Sequence, residues 1–362
     1  MNYAVIMAGG TGKRLWPLSR RKRPKQVLKL IEGQTLLSSC FKRLTPIFDY
    51  RNIIVLTNAD YAHIVRESLP ELTPFNVIAE PVVRDTAGAI GLAASILTKF
   101  DPQATMVVVT ADQLIEPADV LQKAINDALK FIDRNPDALV TFGIKPTFAN
   151  TQLGYIKCTN PQKCDECNNE IYNVESFKEK PDAETAEKYL KDKNYLWNSG
   201  MFAWKAKTIL EKLNEFMPES TEPLKRIKDA WQSPNQNQIL AEWFAKMPKI
   251  SIDFAVMEKS KNVKAIKLDC RWLDMGAFNA LEDFVRSDDQ KNIVVAAKCE
   301  LMDCKHDIIV TESKNHLIAV IGLENVVIAH TPDATLVCNM NQTHKIKELL
   351  EQIEKNGGKK YL

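Results

Sequence analysis

The sequence carries almost no net charge: 48 lysines and arginines nearly cancel 46 aspartates and glutamates, leaving a formal balance of +2. Nothing global therefore favours nucleic acid or an anionic membrane surface as a partner, and any anion-binding site must be local. Long apolar runs are missing too, since none approaches the roughly 18 residues a membrane helix needs. The chain opens MNYAVIMAGG, a short strand running straight into glycines, so a signal peptide is not expected. Cysteine is sparse, eight in 362 residues, which excludes a secreted disulfide scaffold. The histidines at 63, 306, 316, 330 and 344 form no His-x-x-x-His pair and no His-Asp-Ser arrangement, so they offer neither zinc-protease nor triad chemistry. The expectation is a soluble, cytoplasmic protein with no nucleic-acid or membrane partner.

What the chain does have is alternation. From Tyr3 to about residue 145, short β-branched runs (Ala4 to Met7, Ile53 to Thr57, Asn76 to Ala79, Met106 to Thr110, Leu139 to Phe142) alternate with helical segments (Leu36 to Leu44, Thr86 to Lys99, Val120 to Arg134). That is the sequence form of consecutive βαβ units in a mostly parallel α/β sheet. Thr35 and Asp85 stand where N-caps belong. From 150 to 290 the pattern loosens into hairpins and helices, as in an inserted substrate-binding subdomain. Residues 293 to 340 then give short apolar strands at close spacing, followed by a helix with Ile346, Leu349, Leu350 and Ile353 on one face. The organisation expected is a catalytic unit over 1–290 and a small β appendage over 291–362.

The most informative stretch is Ala8-Gly9-Gly10-Thr11-Gly12-Lys13-Arg14-Leu15-Trp16-Pro17-Leu18-Ser19-Arg20, directly after the first strand. Glycines there let backbone N–H groups approach an oligophosphate, and basic side chains follow at once. A dinucleotide fold wants G-x-G-x-x-G, which this loop lacks; a nicotinamide dehydrogenase is disfavoured accordingly. A P-loop wants glycine where Met7 stands and a hydroxyl residue where Arg14 stands. A plain turn does not account for three glycines joined to Lys13, Arg14 and the run Arg20-Arg21-Lys22-Arg23-Pro24-Lys25. That run could mimic a nucleic-acid patch, but it has no interleaved aromatics.

Gly-Gly-x-Gly-x-Arg-Leu with Pro24-Lys25 some ten residues on resembles the signature of the nucleotidyltransferases that activate sugar 1-phosphates. The fuller form, with Leu15 to Arg20 and Pro24-Lys25-Gln26, is similar to the mannose-1-phosphate guanylyltransferase branch, and matches recur in order through roughly residues 1 to 340. The resemblance implies a Rossmann-like sheet of the GT-A-like nucleotidyltransferase type and a left-handed β-helix-like appendage. It also implies the reaction: GTP and mannose 1-phosphate give GDP-mannose and pyrophosphate by Mg²⁺-dependent in-line displacement, with no covalent enzyme intermediate. Arg14 and Lys25 would be catalytic, and Ala8, Gly9, Gly10, Thr11, Gly12 and Lys13 would cradle the nucleotide. Lys13 stands where the family usually has threonine.

Asp112 closes the strand Val107 to Thr110, at the carboxyl end where α/β sheets bind ligands. In the resembling family it holds the metal together with the aspartate of Trp272-Leu273-Asp274-Met275-Gly276. Without the resemblance, either aspartate alone reads sooner as a cap or a solvated loop than as a metal ligand. Gln113 replaces the family's usual histidine. Glu80, Arg84, Asp85, Thr86 and Ala87 fall in the segment the resemblance assigns to guanine and ribose, with Gly88 in place of proline; Asp85 or Thr86 reads also as a plain N-cap. Three further segments resemble the sugar-phosphate site. Gly143, expected to end a strand, is followed in a loop by Gly154 and Tyr155. Glu179 and Lys180 suit sugar hydroxyls and the sugar phosphate. Asn198 offers a two-sided hydrogen-bonding group. Asp253 either touches the sugar or caps a helix.

Cys158, Cys164 and Cys167 could suggest a zinc knuckle, but no fourth ligand is near; a reduced, solvent-facing hairpin tip is expected. Relatives of another hexose or heptose specificity, and a non-catalytic nucleotide-sugar sensor, are the rival readings; the sensor predicts loss of Lys25 or an aspartate. Because the chain stops at Leu362 a single activity is expected. The oligomeric state stays open, a homodimer included.

Overall fold

The computed structural model describes residues 1–10, 12–30, 33–162 and 166–362. Thr11 and Cys164, both named above, lie outside the described residues. The apolar runs form strands β1 (Asn2–Met7), β2 (Ile53–Asn58), β3 (Val77–Glu80), β4 (Thr105–Thr110), β5 (Gln113–Glu116) and β6 (Leu139–Ile144). The looser middle supplies β7 (Tyr155–Gln162), β8 (Ile171–Lys178), β9 (Tyr195–Lys205), β10 (Val263–Leu268) and β11 (Arg271–Asp274). Nine of these make one sheet in the order β3-β2-β1-β4-β9-β6-β10-β8-β7. The sheet is mixed rather than mostly parallel. β1 lies parallel to β2 and β4, and β6 to β10, but β9 enters antiparallel between β4 and β6. The long inserted segment returns as hairpin strands, which need no helical crossover.

Helices α1 (Leu36–Leu44), α2 (Ala62–Ser68), α4 (Ala118–Arg134) and α5 (Ala183–Lys191) cover one face of the sheet. Helices α3 (Asp85–Phe100), α6 (Ala206–Phe216), α7 (Thr221–Ala230) and α8 (Gln236–Phe244) cover the other. Alternate residues of a strand feed the two layers, Ile6, Val55 and Val107 to the first, Val5, Leu56 and Val108 to the second. Thr35 caps α1 as expected, accepting from Ser38 N at 3.0 Å. Asp85 does not act as the N-cap of α3: Arg84 takes that place, and Asp85 is the first helical residue at φ 61° with Oδ1 accepting from Thr86 N. The third strand starts at Val77 because Asn76 sits in a 3₁₀ turn and spends its amide on the carbonyls of Tyr50, Arg51 and Ile53.

The C-terminal strands are β12 (Ile293–Val295), β13 (Cys299–Met302), β14 (Ile308–Thr311), β15 (Ile318–Ile321), β16 (Val326–Thr331) and β17 (Ala334–Asn339). β12, β14 and β16 stack in parallel as one wall and β13 and β15 as a second, the arrangement of a β-helical coil. Helix α9 (Ile346–Lys355) closes it with Ile346, Leu350 and Ile353 inward, whereas Leu349 is 37 % exposed rather than on that face. The appendage shares a buried cluster with the signature loop: Leu15, Trp16, Leu18, Leu28 and Leu30 pack with Ile308, Val310, Val327, Leu336 and Leu350.

The cysteine hairpin differs from expectation. Cys167 is disulfide-bonded, not reduced. Cys158 is a free, buried thiol packed in one sheet-face layer while Cys167 packs against the other, so the sheet itself separates two of the supposed zinc ligands. Among the described residues no helix is long and apolar enough to cross a membrane.

Candidate active site

The loop after β1 is shaped by its contacts. Ala8 N donates to Leu56 O at 2.7 Å, which ties the end of β1 to β2, and Ala8 O accepts from Thr57 Oγ1. Gly9 and Gly10 are exposed, and Gln26 Nε2 donates to Gly9 O at 3.3 Å. Gly12 adopts φ 63°, the left-handed region glycine tolerates, and opens the 3₁₀ turn Lys13–Leu15 that carries Arg14. A Cβ on Gly12 would lie 2.6 Å from Lys25 Cβ. The glycine therefore lets the Lys25 stem lie directly against the glycine loop.

Lys25 lies in the turn Lys25–Val27, and its ammonium forms an ion pair with Asp112 and donates to Met275 O at 3.3 Å. Burial pulls this ammonium down, but Asp112 and Asp274 together hold its pKa above the ordinary lysine value. The two aspartates come from residues far apart in sequence. Asp112 immediately precedes β5 and Asp274 ends β11, and these strands form an antiparallel ribbon in which Asp274 pairs with Gln113. Met275 N donates to Asp112 O at 3.1 Å and locks the ribbon's end. Burial, then the neighbouring Asp112, pushes the Asp274 carboxyl up to about 6, against the pull of Lys25, Arg14 and Lys180. Two hard carboxylates in mutual repulsion suit a small divalent cation, and Mg²⁺ is typically held by one or two carboxylates with substrate phosphates completing its shell. Among the described residues no group of three or more His, Cys, Asp or Glu is arranged to hold a metal ion, so an all-protein cage is not built among them. Gln113 serves the scaffold: its Oε1 accepts from Trp272 Nε1 at 3.1 Å and its Nε2 donates to Ser199 O.

The segment after β3 is a second cluster. Glu80 ends the strand, and burial, reinforced by Asp85, pushes its carboxyl up to about 7. Thr86 Oγ1 accepts from Ile252 N at 2.8 Å and Ala87 N donates to Ile250 O, so this segment is fixed by the chain before Asp253. The Arg84 guanidinium is engaged on the carbonyls of Phe244 and Ala245 at the end of α8. There it secures the segment from outside.

A third cluster surrounds Glu179. Asn198 N donates to Gly154 O at 2.8 Å, and a Cβ on Gly154 would collide with Glu179 Oε2. Gly143 lies inside β6, next to its last residue rather than at the end, paired with Asn198. The Asn198 amide is largely spent within the protein: Oδ1 accepts from Thr141 Oγ1 at 2.9 Å and Gly200 N at 3.3 Å, and Nδ2 donates to Asp253 Oδ1 at 2.9 Å. One Nδ2 hydrogen is left for a ligand. Lys180, at φ 46°, pairs with Glu179 at 3.0 Å. Burial, then Glu179, pushes the Asp253 carboxyl up to about 7, with Asn198 and Lys180 opposing. Lys180 opposes the upward shift of both Asp253 and Asp274 electrostatically, so the Glu179 cluster lies near the β5–β11 ribbon. A cavity of about 610 Å³ adjoins it, lined by Arg14, Lys145, Asn150, Trp197, Trp272 and Asp274 among others.

The sequence did not single out Glu258, whose Oε1 accepts from Glu179 N at 2.8 Å. It also did not foresee the Lys25–Asp112 pair, because no spacing rule links positions 87 residues apart. In the basic run, Arg20, Arg21 and Arg23 pair with Asp333, Glu354 and Glu312 of the appendage.

Comparison with known proteins shows the family to which the chain belongs. A model of the nucleotidyl transferase family matches residues 3–291, and one of the mannose-phosphate isomerase/GMP-like β-helix domain matches 300–353. A mannose-1-phosphate guanylyltransferase of Klebsiella pneumoniae is 36 % identical over 366 residues, covering 100 % of this chain and 76 % of its own. The xanthan biosynthesis protein XanB of Xanthomonas campestris is 35 % identical, covering 98 % and 73 %. A crystal structure from Thermus thermophilus, described as a mannose-1-phosphate geranyltransferase, superposes with a TM-score of 0.86 at 30 % identity, covering 98 % of this chain and 99 % of that one. These matches leave no place for a nicotinamide dehydrogenase, and the chain belongs to the nucleotidyl transferase family of enzymes, in its mannose-1-phosphate guanylyltransferase branch.

Proposed function

We propose that this chain makes GDP-mannose and pyrophosphate from GTP and mannose 1-phosphate, with the catalytic unit spanning 1–290 and the appendage 291–362. A phosphate oxygen of mannose 1-phosphate attacks the α-phosphorus of GTP; the bond from that phosphorus to the bridging oxygen breaks, and pyrophosphate leaves with the electron pair. The observation that carries the reading is the meeting of Lys25, Asp112 and Asp274 beside the glycine loop. Positioning and fixed charge dominate phosphoryl-group chemistry.

In this assignment the backbone of Gly9, Gly10 and Gly12 faces the triphosphate, with Ala8 anchoring the loop and Lys13 at its rim, and Thr11 is assigned to the nucleotide by its place in the motif alone. Arg14 and Lys25 balance charge on the transferring and departing phosphates. Asp112 and Asp274 would hold Mg²⁺, which when bound neutralises phosphate oxygens. Glu80, Asp85, Thr86 and Ala87 contribute the base and ribose side, with Arg84 securing their segment. Glu179 accepts from sugar hydroxyls, Lys180 meets the sugar phosphate, Asn198 offers its remaining N–H, and Gly143 and Gly154 keep the sugar wall close. Asp253, held by Asn198, sets the charge behind Glu179.

The test is pyrophosphate release with four nucleoside triphosphates against mannose, glucose and heptose 1-phosphates, with and without Mg²⁺. GTP with mannose 1-phosphate should give the highest kcat/KM, and only with the cation. A preference for another pair would replace the substrate assignment, and no pyrophosphate from any pair would favour the sensor reading.

A further inference from the structure

The arginines after the signature loop have no part in the chemistry above, yet they are among the best-engaged charges in the molecule. Arg20 grips Asp333 with both terminal nitrogens at 2.6 Å and reaches Thr331 Oγ1 at 2.8 Å. Glu312 does double duty: Oε2 accepts from Arg23, and Oε1 accepts from the backbone N–H of Lys29 at 3.0 Å. One appendage carboxylate therefore holds both ends of the segment that carries Lys25. Between the two arms, Arg20 and Arg23 exchange backbone hydrogen bonds at 2.8 and 2.9 Å, closing the turn, and on the other side Trp16 Nε1 donates to Tyr361 O at 2.7 Å.

We infer that Glu312 and Asp333 of the β-helical appendage are positioning residues for the reaction: they fix the loop that places Arg14 and Lys25 against the phosphates. The physical argument is one of scale. Each pair has one partner open to solvent, Asp333 at 51 % and Arg23 at 41 %, and one largely covered, Arg20 at 16 % and Glu312 at 22 %, so solvent screens both in part and their contribution to folding stability is modest. Catalysis is far more sensitive to their loss, because a misplacement of about 1 Å can cost on the order of 100-fold in rate. The apolar side of the loop rests on the appendage through Leu15, Trp16, Leu18 and Leu28, so the carboxylates set register on a face that is already docked. The inference rests on the guanylyl-transfer reading only for the choice of substrates.

The test uses the full chain carrying Glu312→Ala with Asp333→Ala, and separately Glu312→Gln, which keeps an acceptor for the Lys29 N–H but loses the charge. Amide exchange of peptides covering 12–30 should quicken about tenfold or more in the double variant, with the strands β1, β4, β14 and β16 unchanged. The kcat should fall about 10- to 100-fold with the nucleotide KM within about threefold, and Glu312→Gln should fall between. Unchanged exchange and kcat in the double variant would overturn the inference. So would a rate loss in either variant accompanied by faster exchange across the whole appendage, which marks a merely structural role. If the unmodified protein proves inactive with GTP and mannose 1-phosphate, the substrate assignment falls, while the exchange measurement still decides the role of the two carboxylates.

Discussion

Replacing Lys25 by methionine keeps the stem that packs on Gly12 and removes only the charge. Two opposing effects follow from its surroundings. The ammonium sits on Asp112 and feels Asp274, so without it two carboxylates face each other with less cationic compensation. Breaking a buried pair costs several kcal/mol, ~3 to 5 where the remaining charge is fully enclosed. Here Asp112 is 19 % exposed, and a smaller penalty is expected, visible as a lower melting temperature in chelator. A divalent cation should restore it, since the cation replaces the missing charge. Mg²⁺ half-saturation should move to lower concentration, because Lys25 no longer competes for Asp112. The rate moves the other way. Losing one preorganised charge from a site where phosphate charge develops costs about 100- to 1000-fold in kcat, or ~2.7 to 4 kcal/mol, and KM for GTP should stay within about threefold. Steady-state pyrophosphate release, with melting curves in chelator and in Mg²⁺, measures all three. An unchanged kcat, or a melting temperature that Mg²⁺ fails to recover, would refute the reasoning.

Gly154→Ala would push a methyl group into Glu179; because hydrogen bonds to charged groups contribute ~1.5 to 3 kcal/mol, KM for the sugar phosphate should rise roughly 10-fold or more with the nucleotide KM unmoved. Asp274→Asn removes one of the two carboxylates on the ribbon and should raise the Mg²⁺ half-saturation by at least the ~10- to 100-fold that losing an outer-shell partner of a metal ligand costs; titration of the rate against Mg²⁺ reads it directly. Asp253 bears on stability. Its carboxyl is raised from 3.8 to about 7, so between those values the folded state keeps a proton that the unfolded chain releases. The stabilisation is therefore complete below about pH 4 and disappears as pH rises through 7, with a slope of up to ~1.4 kcal/mol per pH unit. Asp253→Asn should flatten the fall of melting temperature between about pH 5 and 7, and an unaltered slope would show that the carboxyl is not protonated there.

The chain's own order determined a good deal. Three glycines and two basic residues after a short β-branched strand announce an oligophosphate loop, because only glycine admits a ligand that close to the backbone and only local cations balance it in a chain of near-zero charge. The helix Leu36–Leu44 and its Thr35 cap were equally legible, being set by neighbours within one turn. Tertiary structure decided the rest. That β9 would run antiparallel through the sheet is invisible in a strand buried on both faces, since its pattern is the same in either direction. The pairing of Lys25 with Asp112, the approach of Asp274 through a ribbon, and the hold of Asp253 on Asn198 join positions whose separation along the chain carries no information about their distance. The basic run could be read only as charge until the fold brought Asp333 and Glu312 to it. Periodicity and short motifs record interactions within a few residues; charge complementarity across the molecule is written only in the folded arrangement.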